Sequence, residues 1–267
     1  MRPGIHSALA LTALAIGLAA GCSSNPSGPG YGTMRVRMTD APADVDEVNL
    51  VITEVSARQE AVADSDAVSG GWIVLSEGSA TYDLLDLRNG VFTTIGEGSL
   101  PAGRYSQVRL KIGTGSTVVV DGVSHPLVVP SGAQSGLKLQ GDFNVPDGGS
   151  IDIGLDFDAA RSIHQTGNGT WMLKPVIKVM PITSAGSIRG QIVPDSTSTT
   201  LYLIQATDTL GSTAAGLDGR FQFSLLSPGS YAVAIAPDSG YRDTTLAGLT
   251  VTTGATTDVG VVELTAQ

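Results

Sequence analysis

Ile151-Asp152-Ile153-Gly154-Leu155-Asp156-Phe157-Asp158 decides the fold class. Every odd position is apolar and every even one is Asp or Gly, and a side-chain period of two belongs to a β-strand with one buried face. Met34-Arg35-Val36-Arg37-Met38 and Val108-Arg109-Leu110-Lys111-Ile112 alternate in the same way. Turn signals separate such runs: Asn89-Gly90, Asp121-Gly122, Pro146-Asp147-Gly148-Gly149 and Asn168-Gly169. Short strands joined by turns, without long helical periodicity between them, predict an all-β protein built as a sandwich or barrel. Ala159 to Gln165 is the one short helix expected, with Asp158 as N-cap and Gly167 as its end.

Composition agrees. Gly is abundant at 34 residues, and charged side chains make up only 15% of the 267. The net charge is −10; without Arg2 the remaining 14 basic residues stand against 25 acidic ones, a net of −11. Such a surface argues against a nucleic-acid partner and against electrostatic docking on anionic lipid.

The N-terminus carries Arg2, an apolar run from about Ala8 to Ala20, and the small residues Ala19-Ala20-Gly21 before Cys22, the only cysteine. This is the three-part layout of a secretory signal and is too short to span a bilayer. It resembles the lipobox of bacterial lipoproteins, which implies cleavage between Gly21 and Cys22 and acylation of Cys22. Each buried methylene contributes about 0.8 kcal/mol, and two or more chains anchor stably. Residues 22–32, Ser/Gly/Pro-rich, then form a flexible tether. Ser23 after the cysteine implies, by lipoprotein habit, the outer membrane, facing the periplasm or the surface.

A boundary is expected near Pro181-Ile182-Thr183-Ser184-Ala185-Gly186, giving a sandwich over 33–183 and a second over 186–267. Leu100-Pro101-Ala102-Gly103-Arg104-Tyr105 and Leu226-Ser227-Pro228-Gly229-Ser230-Tyr231 echo one another across it. Pro and Gly make a tight turn, and a Tyr just inside the next strand can return its hydroxyl to turn backbone, as in a tyrosine corner.

Residues 32 to 180 resemble the DUF4382 family of prokaryotic exported proteins. The segments that carry this are Met38-Thr39-Asp40-Ala41-Pro42-Ala43, Asp83-Leu84-Leu85-Asp86-Leu87, the Leu100–Tyr105 turn with Arg109-Leu110, Pro130 through Lys138, and Leu155-Asp156-Phe157-Asp158 with Leu173-Lys174-Pro175. The family brings no established reaction. Residues 186 to 264 resemble a carboxypeptidase-regulatory-like, transthyretin-like domain through Gly186-Ser187-Ile188-Arg189-Gly190, Asp218-Gly219-Arg220-Phe221-Gln222-Phe223 and the Pro228–Tyr231 turn. Leu201-Tyr202-Leu203-Ile204 stands where the usual Gly-Ala-x-Val entry would be. That resemblance implies a non-catalytic spacer or binding module.

No machinery for nucleophilic hydrolysis is visible: there is no Gly-x-Ser-x-Gly elbow, and a lipidated Cys22 is no nucleophile. His6 lies in the cleaved segment, and His125 and His164 have no ligand-spaced neighbour, so zinc is not expected. Carboxylates are the remaining chemistry. Asp152, Asp156 and Asp158 share one face of a strand, Asp40, Asp44, Asp46 and Glu47 gather in a loop, and Asp83 and Asp86 flank Leu84-Leu85. These oxygens could hold Ca²⁺, but no Asp-x-Asp-x-Asp-Gly loop is present, and the plainer expectation is a solvated face paired with Lys174 and Lys178 from a later strand. Trp72 and Trp171 each open an apolar run and are expected in the core, while Tyr31, Tyr202 and Tyr241 are scattered rather than set in a sugar-stacking row.

The expectation is therefore a non-catalytic, lipid-anchored envelope protein acting in surface binding, adhesion or scaffolding, with an extracellular protein or glycan as partner. The alternatives are a glycan- or Ca²⁺-binding accessory lipoprotein and an enzyme working through carboxylates such as Asp156 and Asp158. An acidic or aromatic pocket would favour a ligand binder, exposed edges a scaffold, and carboxylates converging from different strands with a raised pKa an enzyme.

Overall fold

The structure, a computed structural model, describes residues 30–41, 45–60, 71–130 and 135–267. Cys22, Gly21, the expected signal segment, most of the expected tether and Asp44 lie outside these residues. The described strands in chain order are β1 (Tyr31–Ala41), β2 (Glu47–Gln59), β3 (Trp72–Asp83), β4 (Thr93–Pro101), β5 (Gly103–Ile112), β6 (Thr117–Val120), β7 (Val123–Val128), β8 (Leu137–Val145), β9 (Ser150–Asp158), β10 (Ile163–Gln165), β11 (Trp171–Leu173), β12 (Ile177–Pro181), β13 (Gly186–Val193), β14 (Thr199–Gln205), β15 (Asp208–Ala214), β16 (Arg220–Leu226), β17 (Gly229–Pro237), β18 (Thr244–Val251) and β19 (Thr256–Glu263). The fold is all-β, as the alternation predicts.

Up to Pro181 the strands form two sheets over one core. The smaller has the order β12-β9-β1-β4; the larger has the order β10-β11-β7-β6-β2-β5-β8, with β3 on the other flank of β2. β1 runs parallel to β9 and antiparallel to β4. The apolar positions of the deciding stretch do what their period dictates: Ile153, Leu155 and Phe157 are fully buried beside Met34, Val36 and Met38 of β1. They face Leu50, Ile52 and Val55 of β2 and Val108, Leu110 and Ile112 of β5. Each such side chain contributes about 1.5–3 kcal/mol on leaving water.

The later strands form a second sandwich, β16-β13-β19 against β15-β14-β17-β18. Its separate core holds Ile188, Ile192, Leu201, Leu203, Phe221, Phe223, Val233 and Ile235. Both tyrosine corners are present. Tyr105 donates its hydroxyl to the Pro101 carbonyl at 2.8 Å, and Tyr231 donates to the Ser227 carbonyl at 2.7 Å. Burial pushes the Tyr105 phenol up to about 12 and raises that of Tyr231.

The turn signals hold. Asp121 and Gly122 both take positive φ between the paired Val120 and Val123, the twist a two-residue hairpin needs. The expected helix is shorter than its pattern. Asp158 caps it by accepting from the Arg161 N–H at 2.9 Å, but α1 covers only Ala159–Ser162. β-Branched Ile163 is already extended and pairs with Leu173, so Ile163–Gln165 forms a hairpin with β11 around Asn168-Gly169. The later apolar run is also two strands, not one. β11 belongs to the larger sheet and β12 to the smaller, and Pro175, which has no N–H for a ladder, lies in the crossing between them.

Candidate functional site at the joint between the sandwiches

The face of β9 that carries its aspartates is not simply solvated, because the second sandwich sits against its C-terminal half. Gly154 makes this possible: a Cβ there would come within 2.6 Å of both Leu225 methyl groups, so only a bare backbone leaves room for the leucine. Leu225 reaches the dimple from a left-handed backbone at φ 52°.

A second contact comes from the Asn89-Gly90 turn. Asn89 Nδ2 donates to the Ala214 carbonyl at 3.4 Å, and its Oδ1 accepts from Thr213 Oγ1 and from the Gln222 N–H, both at 3.2 Å. Ala214 ends β15 and Gln222 lies in β16, the edge strands of the two facing sheets, so one side chain bridges both open edges. Asn tolerates the φ of 55° held here, and Gly90 follows at 82° with Gln222 packed where a Cβ would be. Arg161 adds a hydrogen bond to the Leu210 carbonyl at 3.3 Å.

Between these contacts lies a cleft of about 320 Å³. From the first sandwich it is lined by Thr39, Asp40, Asp156, Asp158 and Lys178, and from the second by uncharged residues including Leu210, Gln222 and Phe223. Thr39 and Asp40 come from the end of β1, which lies alongside β9 with Thr39 opposite Asp156 and Ala41 opposite Asp158.

The three carboxylates differ in what they hold. Buried Asp40 accepts from the Ala159 N–H at 3.1 Å, and Asp158 caps α1, so both serve backbone donors. Asp156 faces Lys178 across the β9/β12 ladder. Burial pushes Asp156 up to about 7, against the pull of Lys178 and with an added push from Asp158. Burial also raises Asp158, against its bond to the Arg161 N–H and the arginine's charge, and lowers Lys178, against the pull of Asp156. Converging carboxylates with a raised pKa are thus present. Two of the three, Asp40 and Asp158, also accept from backbone N–H groups.

The other candidates fall elsewhere. Asp152 lies 3.3 Å from Arg35 and 4.0 Å from Arg37 and so has its own cations. Among the described residues no group of three His, Cys, Asp or Glu side chains is arranged to hold a metal ion. The expected Asp–Lys pairing is met in register by Lys178 alone, because Lys174 lies between β11 and β12. Asp83 caps the 3₁₀ turn Leu84–Leu87 through the Leu85 N–H. Asp46 accepts from the Gly122 N–H and Glu47 from Asn49, while Asp86 is exposed.

Trp171 packs against the first core with His125 6.1 Å away. Trp72 does not join that core: the Arg109 guanidinium lies 4.3 Å over its ring, on the outer face of the larger sheet. Tyr31 and Tyr202 are exposed and Tyr241 packs on the second core, so the aromatics form no stacking row.

Sequence reasoning missed two features. One is Asn89, read only as a turn signal. The other is Glu54, a buried carboxylate that accepts from Arg109 at 2.6 Å, Lys111 at 2.5 Å and Ser56 at 3.0 Å. Burial alone would raise Glu54, and the Lys111, Arg109 and Ser56 hydrogen bonds outweigh it, so its pKa lies below the usual value. The alternating Arg109 and Lys111 were the available signal, since outward cations on one strand call for an anion on the next.

Among solved structures the chain is similar to the Bacillus anthracis TIE protein, at 13% identity and TM-score 0.25 over 89% of this chain and 34% of that one. It is similar to GBS52, the minor pilin of Streptococcus agalactiae, at 14% identity and TM-score 0.24 over 88% and 96%. It is also similar to the shaft pilin SpaA of Lactobacillus rhamnosus GG, at 8% identity and TM-score 0.22 over 89% and 99%. The chain thus spans about a third of the first of these proteins, and likeness at such scores carries no functional argument. No curated protein matches the chain. Residues 31–175, more than half of the sequence, match the family described as Domain of unknown function (DUF4382), and the chain belongs to that family.

Proposed function

We propose that this is a non-catalytic, lipid-anchored cell-envelope protein that displays its second sandwich away from the membrane as a binding, adhesion or scaffold surface. The observation that carries the reading is the direction of β1. The described chain enters at Tyr31, where the Gly30 carbonyl accepts from Ala102, and nine residues later the same strand delivers Asp40 to the joint. At about 3.3 Å per residue, the tether end and the second sandwich stand about 30 Å apart along the strand. A chain fixed at Cys22 would then carry its second sandwich on the distal side.

Two further points support display without catalysis. The carboxylates of the cleft are largely committed to backbone, and the Trp72 ring face is already covered by Arg109. The separate cores support a division into folding units at 33–183 and 186–267, the second being carboxypeptidase-regulatory-like. Outer-membrane sorting rests on Ser23.

Intact mass and membrane fractionation of the natively expressed protein, beside a Cys22→Ser variant, test the proposal. A lipid-sized mass increment and membrane retention, both lost in the variant, are the expected result. A soluble wild-type protein with a free thiol overturns it.

A further inference from the structure

The joint sets carboxylates against a wall that brings no cation. Among the described residues, the groups facing Asp156 can be named. β12 presents Lys178, which is exposed; β1 presents Thr39 and Asp40; the cap of α1 presents Asp158, whose partner Arg161 turns to the Leu210 carbonyl. The second sandwich presents Leu203, Leu210–Thr213, Gln222–Ser224 and Leu226, none of them ionisable. Closing it over the cleft takes water from the carboxylates and returns no charge. Asp40 and Asp158 are compensated by backbone N–H groups, and Asp152 by arginines outside the cleft. Asp156 has only Lys178 opposite it across the ladder, so among the described carboxylates of this face it is the least compensated when ionised.

We propose that proton uptake by Asp156 governs how tightly the second sandwich closes on the first, so that the joint is tight in acid and loosens as pH rises toward neutrality. The sign follows from where the proton is held. In the closed joint the carboxyl titrates at about 7, whereas in an open, hydrated joint it returns toward 3.8. Closure therefore carries no penalty below about pH 4, loses ground between about 4 and 7, and is flat above that. A displacement of this size weakens closing by up to about a thousandfold, at tenfold per unit. Asp158, also raised, acts in the same direction. Lys178 is lowered, so closure disfavours its charge and recovers only as pH climbs toward the ordinary lysine value of 10.5.

The Gln222 N–H provides the readout, because its partner is Asn89 on the other side of the joint. Hydrogen exchange of the full chain, corrected for intrinsic rate, is followed from pH 4 to pH 9. Protection at Gln222 should fall through the 4 to 7 window by tenfold or more while Val233 and Ile235, in the second core, stay constant. Asp156→Asn should abolish most of that fall, whereas Asp121→Asn, an exposed turn control, should leave it intact. Flat Gln222 protection in the wild type overturns the proposal, as does an unchanged fall in Asp156→Asn. If the Asn variant does not fold, the wild-type profile alone decides.

Discussion

Glu54 and Asp156 are both acidic residues on strands, each with a lysine directly across the ladder, yet their pKa values move in opposite directions. Glu54 has Lys111, Arg109 and Ser56 donating to its two oxygens, and its pKa is lowered. Asp156 has one exposed lysine opposite it and an uncharged wall on its far side, and its pKa rises to about 7. Burial pushes both carboxyl groups upward. The number of donors that arrive with burial decides the outcome, and partner identity across the strand does not.

The largest expected effect comes from removing the better-paired carboxylate. Glu54→Ala leaves Arg109 and Lys111 without their anion in a half-buried setting and should cost about 3 kcal/mol in denaturant unfolding. A loss under about 1 kcal/mol would show that the cluster is no tighter than a surface pair. The opposite sign is expected at the joint. Asp156→Asn should stabilise the protein by about 2 kcal/mol at pH 8 and leave it unchanged at pH 4.

The pH dependence sharpens the contrast. Stability supplied by Glu54 is present above its ordinary value of 4.5 and lost as pH falls through its lowered folded value. Stability tied to Asp156 is greatest in acid and declines between about 4 and 7. Glu54→Gln should therefore flatten the acid limb of a stability profile, and Asp156→Asn the limb that approaches neutrality. Exchange of the two effects would refute the assignments. Ser56→Ala, which removes one neutral donor from Glu54, should cost about 1 kcal/mol. Asp142→Asn, at the exposed Arg104 pair, should have the smallest effect of all on stability, and high salt should remove even that.

Much of the fold was legible because it follows from local rules. Period two placed Ile153, Leu155 and Phe157 inward, Asp121-Gly122 dictated its hairpin, and the paired Pro/Gly turns placed both tyrosine corners. The site was not legible to the same degree. Alternation says which face of β9 is apolar but not what covers the other, and the cover comes from Leu225, 71 positions beyond Gly154. The run from Trp171 to Val179 kept one period while its strands joined different sheets, because periodicity does not register a change of layer. Asn89 looked like any turn residue, since its role is set by strands about 125 and 133 positions away.

The way Asn89 grips the second sandwich has a consequence for how such chains can change over time. Two of its three partners, the Ala214 carbonyl and the Gln222 N–H, are main-chain groups, as is the Leu210 carbonyl held by Arg161. A latch of this kind recognises the spacing of two strand edges more than the side chains they carry. Residues 210, 214 and 222 can therefore drift without releasing it, and a different sandwich with the same edge geometry could be grafted in their place.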